Sequence, residues 1–233
     1  MTWLGLPAPL WQAFFLSLEL ATLTAALLWL FGLPLAHWLN QTRFIGRPVL
    51  EALIALPIVL PPTVIGFYLL VAFAPQAPLG HAWLGVFNHT LAFSFPGLVV
   101  GSLIYSLPFA VQPYQAALRS IPRELVEAST ALGAGSWRTL WNVRLPWARA
   151  GIFAGTGLAF AHTLGEFGVV LMLGGNLEGQ TRVASIALYD LTQSLDYTQA
   201  HHYALVLLVV SFALLLGIAA LQKRMGRVVG GQH

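Results

Sequence analysis

The stretch Tyr-Ala-Leu-Val-Leu-Leu-Val-Val-Ser-Phe-Ala-Leu-Leu-Leu-Gly-Ile-Ala-Ala-Leu, residues 203–221, runs for nineteen positions without a charged side chain. A helix rises about 1.5 Å per residue and the hydrocarbon core of a bilayer is about 30 Å thick, so this segment predicts a membrane crossing. Four more stretches read the same way: residues 14–35, 52–72, 91–111 and 151–173. The whole chain agrees with them. Its 233 residues are 58% hydrophobic and only 8% charged, against about 25% charged in soluble domains. Eleven basic and eight acidic residues cannot cover a water-facing surface, so most of the outside must meet lipid. There is no cysteine, which removes disulfides, thiolate metal sites and cysteine nucleophiles.

The first stretch lacks a basic segment before it and a small-residue cleavage pattern after it, so it is expected to stay in the mature protein. Basic residues are retained on the cytoplasmic side of a membrane. Arg43 and Arg47 follow the first span, Arg119, Arg123, Arg138, Arg144 and Arg149 follow the third, and Lys223, Arg224 and Arg227 end the chain. Arg182, after the fourth span, is the one left. Five spans with the N-terminus outside and the C-terminus inside satisfy every segment. Spread in this way, the basic residues do not make a nucleic-acid surface.

Prolines interrupt the crossings: Pro57, Pro61 and Pro62 in the second, Pro96 and Pro108 in the third. Each removes a backbone donor and clashes with the preceding turn, so both spans are expected to kink or unwind. Carbonyls freed in hydrocarbon must be buried in protein or line a wet cavity. The run Leu60-Pro61-Pro62-Thr63 predicts an interrupted helix whose Thr63 hydroxyl serves either the broken ladder or a polar solute.

Between the third and fourth spans lie residues 112–150, on the side expected to be cytoplasmic. Pro122 suits the first turn of a helix, and Leu125, Ala128, Ser129 and Leu132 recur at helical spacing while Arg123, Glu124 and Glu127 take other faces. Gly133 and Gly135 read as the stop. This short amphipathic helix is followed by an aromatic and basic stretch, Trp137 to Trp147, leading into the fourth span.

Here a resemblance enters. Glu127-Ala128-Ser129, then Gly133, nine residues, and Val143-Arg144-Leu145-Pro146 resembles the EAA-x(3)-G-x(9)-I-x-L-P signature of permease subunits of bacterial and archaeal ABC importers, with Ser129 for the second Ala and Val143 for Ile. The resemblance implies a type I (MetI-like) permease fold and a coupling helix around Glu127, Ala128, Ser129, Leu132 and Gly133, with Leu145 and Pro146 behind it. That helix would sit in a cleft of a nucleotide-binding subunit whose ATP-driven closure moves the spans. Further stretches, Leu56 to Tyr68, Thr163-Leu164-Gly165-Glu166-Phe167-Gly168, Gly174-Gly175-Asn176 and Gly179-Gln180-Thr181-Arg182 with Tyr189, look like molybdate permeases. Sulfate permeases share much of this pattern, and the motif does not separate the two. The implied assembly is a permease homodimer in the inner membrane, an ATPase dimer carrying ATP and Mg²⁺, and an external oxyanion-binding protein.

Charged groups inside a span cost about 2.5–3.5 kcal/mol each. Counted from an inner start at Gly151, His162 lies about 16 Å and Glu166 about 22 Å deep. A carboxylate facing the path of a dianion would repel it, so Glu166 is expected to be neutralised by Arg182, or to accept hydrogen bonds from span ends, and to shape an outer gate with Phe167. Pro61, Pro62, Thr63 and Ser102 are the candidate path residues, Thr63, Ser102 and backbone N–H groups being the donors. His162 and Glu166 are spaced i, i+4, which also suits a metal pair or a proton relay, but no third ligand stands at helical spacing and no metal is expected. Residues 182–196 predict a short amphipathic helix on the outer face or in the gate. Trp3, Trp11, Trp83, Trp137, Trp141 and Trp147 fit an interfacial aromatic belt. The expectation is therefore one all-α membrane domain over residues 1–233. It has no Gly-x-x-x-x-Gly-Lys-Ser/Thr loop and hence no ATPase activity of its own. The rival is a self-contained secondary transporter or channel, which predicts an inverted repeat that the halves do not display.

Overall fold

The computed structural model describes residues 6–229, with side chains as far as Arg224; Trp3 and the side chain of Arg227 lie outside them. Its elements are α1 (Ala8–Gln41), α2 (Arg47–Val59), α3 (Pro62–Phe73), α4 (Pro78–Phe87), α5 (Phe95–Arg119), α6 (Arg123–Ala131), α7 (Ser136–Leu164), α8 (Gly168–Gly174), α9 (Ala184–Gln193) and α10 (Tyr197–Val229). The described residues are helical apart from turns and connections. Three helices, Ala8–Gln41, Phe95–Arg119 and Tyr197–Arg224, are long and apolar enough to cross a membrane. Two bent pairs pass the same test jointly: α2 with α3, turning by 114°, and α7 with α8, turning by 59°. The five expected stretches fall on these three helices and two pairs.

The prolines act unequally. Pro61 turns the chain as expected: the α2 ladder ends with Leu60 N–H on Leu56 O, and α3 begins with Val64 N–H on Pro61 O. Pro108 and Pro113, by contrast, sit inside one continuous helix, so the third span has no break like the one at Pro61. That helix runs on to Arg119, so the inner connection is shorter than residues 112–150. Two widened π-helical turns, Leu28–Gly32 and Leu140–Arg144, each stand directly before a Leu-Pro pair, Leu33-Pro34 and Leu145-Pro146. A proline clashes with the carbonyl four residues back, here Leu30 and Asn142, and a turn opened by one residue moves that carbonyl aside. The stretch Trp137 to Trp147 is therefore the base of α7.

Glycines set the packing. Helix α7 lies along α5, where an added Cβ on Gly151 would come within 2.5 Å of Ala117 Cβ and one on Gly155 within 2.9 Å of the Tyr114 ring. Helix α8 lies along α3 and α5, with Gly66 against Met172 and Gly101 against Leu173. One apolar cluster, including Leu39, Ile54, Val111, Tyr114 and Ile152, holds the end that carries α6; a second, including Leu20, Phe73, Leu98, Val169 and Ile186, holds the other end. Tyr203 ties α10 to α1 by donating to Leu10 O at 3.0 Å. None of the most apolar window of α10 is fully buried, although Val206 and Leu207 are partly buried and Ile218 meets α7 at Gly157.

Candidate functional site

The two breaks meet. An added Cβ on Gly168, the first residue of α8, would lie 2.7 Å from Pro62 Cβ and 3.4 Å from the Thr63 nitrogen, so the start of α8 rests on the start of α3. Thr63 is exposed, and Val59 beside it, 82% exposed, heads an apolar surface that continues through Phe67 and Tyr68. Phe167 is half-buried against Tyr189, with ring centroids 5.1 Å apart.

Glu166 sits in the break between α7 and α8 and is only 5% exposed. Its Oε2 accepts from the Ser102 hydroxyl at 3.0 Å, its backbone carbonyl accepts from Ser185 Oγ at 2.6 Å, and its Oε1 has no hydrogen-bond partner among the described residues. The Ser185 bond satisfies a carbonyl that the break removes from the helical ladder. Four residues on, Ser106 Oγ lies 2.9 Å from both His162 Nδ1 and Thr163 Oγ1, and the His162 ring stacks on Phe109 at 3.8 Å. Two turns further, Tyr114 Oη meets Thr156 Oγ1 at 2.7 Å. Positions 102, 106 and 114 share one face of α5, so the facing helices are pinned by a polar ladder as well as by glycines. His162 and Glu166 are thus engaged by different serines.

Two expectations are corrected. Arg182 does not reach Glu166: it bonds Asp190 at 2.9 Å and Glu178 at 3.8 Å, and Asn176 donates to the same Asp190 oxygen at 2.6 Å. The arginine fastens the loop after α8 onto α9. Ser102 is wholly buried with its hydroxyl committed to Glu166, so it faces no open path in this structure. Glu19 lines a 510 Å³ polar cavity with His89, Thr90, Ser94 and Gln180.

At the opposite end, α6 buries none of its residues. It starts one residue later than expected, with Pro122 as the N-cap and no side-chain cap bond. Its C-terminus is a Schellman stop: Gly133 N–H reaches Thr130 O at 2.9 Å, Ala134 N–H reaches Ser129 O at 3.1 Å, and Gly133 takes φ +79°. Leu125 and Ser129 face the body, where Ser129 Oγ and Thr139 Oγ1 lie 3.0 Å apart. Glu127 and Ala128 are exposed, and Leu132 is 88% exposed. Leu145 is half-buried and Pro146 exposed at the base of α7, beside an exposed Trp141. Among the described residues nothing lies within 4 Å of an added Cβ on Gly133 or Gly135. Apolar exposure of this kind, flanked by charge, marks a contact surface. Nearby, Glu51 bonds Arg47 at 3.0 Å and Arg119 at 3.5 Å, while Arg119 Nε donates to Asn40 at 2.7 Å, a knot of α1, α2 and α5 that sequence reasoning missed.

An all-helical body with two broken crossings and an exposed motif helix below them defines the membrane-embedded permease subunit of an ABC importer. Residues 11–227 match the family described as "Binding-protein-dependent transport system inner membrane component", and the chain belongs to it. It is 46% identical over 203 residues to the molybdenum transport system permease protein ModB of Azotobacter vinelandii, covering 87% of this chain and 90% of that one. It is 38% identical to ModB of Escherichia coli K12, over 80% of this chain and 81% of that one. With the sulfate transport system permease protein CysT of E. coli K12 the identity is 37%, over 86% and 72%. Among solved structures, a bacterial ABC transporter that imports alginate superposes with a TM-score of 0.79 at 19% identity, covering 95% of this chain and 81% of that one. The MetNI methionine ABC transporter superposes with 0.73 at 17%, covering 94% and 99%. At these identities the structures speak to the fold alone.

Proposed function

We propose that this chain is the transmembrane subunit of an ATP-driven importer of molybdate or tungstate. Two copies form the path along their shared axis, and each copy crosses the membrane five times as one domain, N-terminus outside. ATP and Mg²⁺ belong to a pair of ATPase subunits seated under α6, around Glu127, Ala128, Ser129, Leu132 and Gly133 and against the base of α7 at Leu145 and Pro146. An oxyanion-binding protein delivers the solute from outside. The observation that carries this reading is the exposed motif helix with its open Gly133 turn, a surface that no other described residue covers.

Solute class rests on similarity to the molybdenum permeases of A. vinelandii and E. coli. The likeness to CysT supports sulfate as the second reading. The path wall follows from charge: an anion needs donors and no carboxylate. The exposed Thr63 at the start of α3, where helix polarity is positive, fits that need, with Pro61 and Pro62 fixing the bend. Glu166 and Phe167 form a gate on the opposite break, the carboxyl turned away from the path towards Ser102, and Arg182 braces the outer loop above it.

Co-purification with the native ATPase partner, followed by ATPase stimulation with receptor loaded in turn with molybdate, tungstate and sulfate, tests the reading. Stimulation by the first two supports it, and stimulation by sulfate alone selects the second reading. Uptake into vesicles driven by a proton gradient without ATPase would overturn both.

A further inference from the structure

Two guanidinium groups stand beside the motif helix without an acceptor. Arg123 opens α6, and Arg144 closes the widened turn in the base of α7. Among the described residues neither makes an ion pair or a side-chain hydrogen bond, whereas Arg47 and Arg119 share Glu51 and Arg182 holds Asp190. Both line a 220 Å³ cavity with Leu118, Ile121, Val126 and Glu127. Leu118 and Ile121 are buried, Val126 and Arg144 half-buried, and Arg123 and Glu127 exposed, so hydrocarbon and charge share its walls. Each arginine is unfavourably placed when taken alone. A cation in the first turn of a helix opposes the helix polarity; Glu124, the next residue, carries the charge that suits that place. Glu127 follows Arg123 by one turn, but acid after base is the weaker order of such a pair, and no ion pair forms. Arg144 gives up part of its hydration with no described group to replace it.

We propose that Arg123 and Arg144 form a clamp for one carboxylate side chain of the ATPase subunit, an aspartate or glutamate whose stem rests on Leu118, Ile121 and Val126. The clamp presupposes the proposed function and adds one contact to it. Three observations select this occupant. Two cations against the single acid Glu127 leave the cavity net positive, so it draws an anion. Its 220 Å³ falls below the about 300–1,000 Å³ of small-molecule sites, which leaves room for the end of one side chain and too little for a nucleotide or a lipid tail. It is also continuous with the exposed face of α6, since Glu127 belongs to both and Leu145 and Pro146 follow Arg144 directly. Guanidinium is the side chain that grips a carboxylate through two parallel hydrogen bonds.

Lys223 is the one lysine of the chain, so Arg123→Lys and Arg144→Lys each add an amine at a known position. Each variant, in bilayer discs containing phosphatidylserine, is mixed with the native ATPase subunit and treated with a carbodiimide, which joins an amine to a carboxyl in contact with it. The expected products are amide links from positions 123 and 144 to the same aspartate or glutamate of the ATPase subunit. Arg123→Ala and Arg144→Ala should each weaken the Kd of that subunit about tenfold, a difference that shrinks at high salt. The Tm of the permease alone should stay native in both, because neither guanidinium holds another described group. A native Kd in both alanine variants overturns the proposal, and a lowered Tm beside it makes the arginines structural. No link from either lysine position overturns it as well, and so does a link to phosphatidylserine in place of the subunit, which gives the clamp to the membrane. Failure of the unmodified permease to bind the ATPase subunit at all is a separate result, and it overturns the proposed function itself.

Discussion

Substituting Gly133 separates two costs that the geometry assigns to different places. The residue holds φ +79° in the stop of α6. A left-handed backbone costs an alanine about 1–2 kcal/mol, whereas asparagine adopts it readily. Among the described residues the new side chain meets nothing, because none of their atoms lies within 4 Å of the Cβ position. A chain of this length loses about 3 °C of Tm per kcal/mol. Gly133→Ala should therefore lower the Tm of the purified permease by about 3–6 °C, and Gly133→Asn should leave it within about 1 °C.

Docking should order the variants differently. A partner backbone seated on this turn collides with either side chain, and overpacking costs about 1–3 kcal/mol, which at the middle of that range weakens the Kd of the ATPase subunit by more than about tenfold. Thermal unfolding in detergent reads the first cost. Titration of the ATPase subunit onto permease in bilayer discs reads the second. The decisive variant is Gly133→Asn, with native Tm and impaired docking. Wild-type affinity in that variant would refute the idea that a partner approaches here, and an unchanged Tm in Gly133→Ala would refute the left-handed stop.

Ser102→Ala removes the hydroxyl on Glu166 Oε2 and leaves a buried acceptor unmatched, at about 1–3 kcal/mol; the loss of Tm should nearly vanish in a Glu166→Leu background, and equal losses in both would argue against the bond. Glu166→Gln should impair assembly or gating while the order of preference among molybdate, tungstate and sulfate in receptor-coupled uptake stays as in the native protein; a changed order would make Glu166 a solute ligand. Gly66→Val should destabilise by about 1–3 kcal/mol, because its Cβ would stand 2.7 Å from Met172 Cβ and 3.2 Å from Val169 Cα. Gly217→Ala, with open space around it, should instead stabilise by about 0.5–1 kcal/mol, and a loss of Tm there would place an unseen neighbour on α10.

How much the residues alone disclose depends on how local each signal is. Apolar length located the crossings, since the rule depends on bilayer thickness and on nothing elsewhere in the chain. The Gly133 stop was legible because a left-handed residue is a local need. Pro61 ends its helix and Pro108 does not: two adjacent prolines cannot both be absorbed by one turn, whereas whether a single proline breaks a helix depends on the packing around it. The π-helical turns before Pro34 and Pro146 went unread, although both stand in the same Leu-Pro context. Sign and depth alone point Arg182 towards Glu166. The structure gives it Asp190 instead, because a loop anchored to α9 brings a nearer carboxylate, and that pairing is decided by tertiary placement.

The placement of α7 links the two ends of the molecule. It runs about 43 Å from Ser136, beside α6, to the break that holds Glu166. The Ser129–Thr139 contact joins α6 to its base. At its far end Gly168, which opens α8, rests on Pro62, so the second broken crossing touches the first directly. On the proposed function, a push on α6 needs no relay through side chains scattered across the core. It enters one stiff helix at the motif and leaves at the point where both crossings are already interrupted, where the backbone bends most readily. The Leu140–Arg144 turn lies on that route one step above the motif helix. A widened turn is a weaker strut than a regular one, so the amplitude delivered to the break depends on how firmly Leu145 and Pro146 are clamped from below. On that proposal the signature's Leu-Pro pair belongs to the same device as the motif helix.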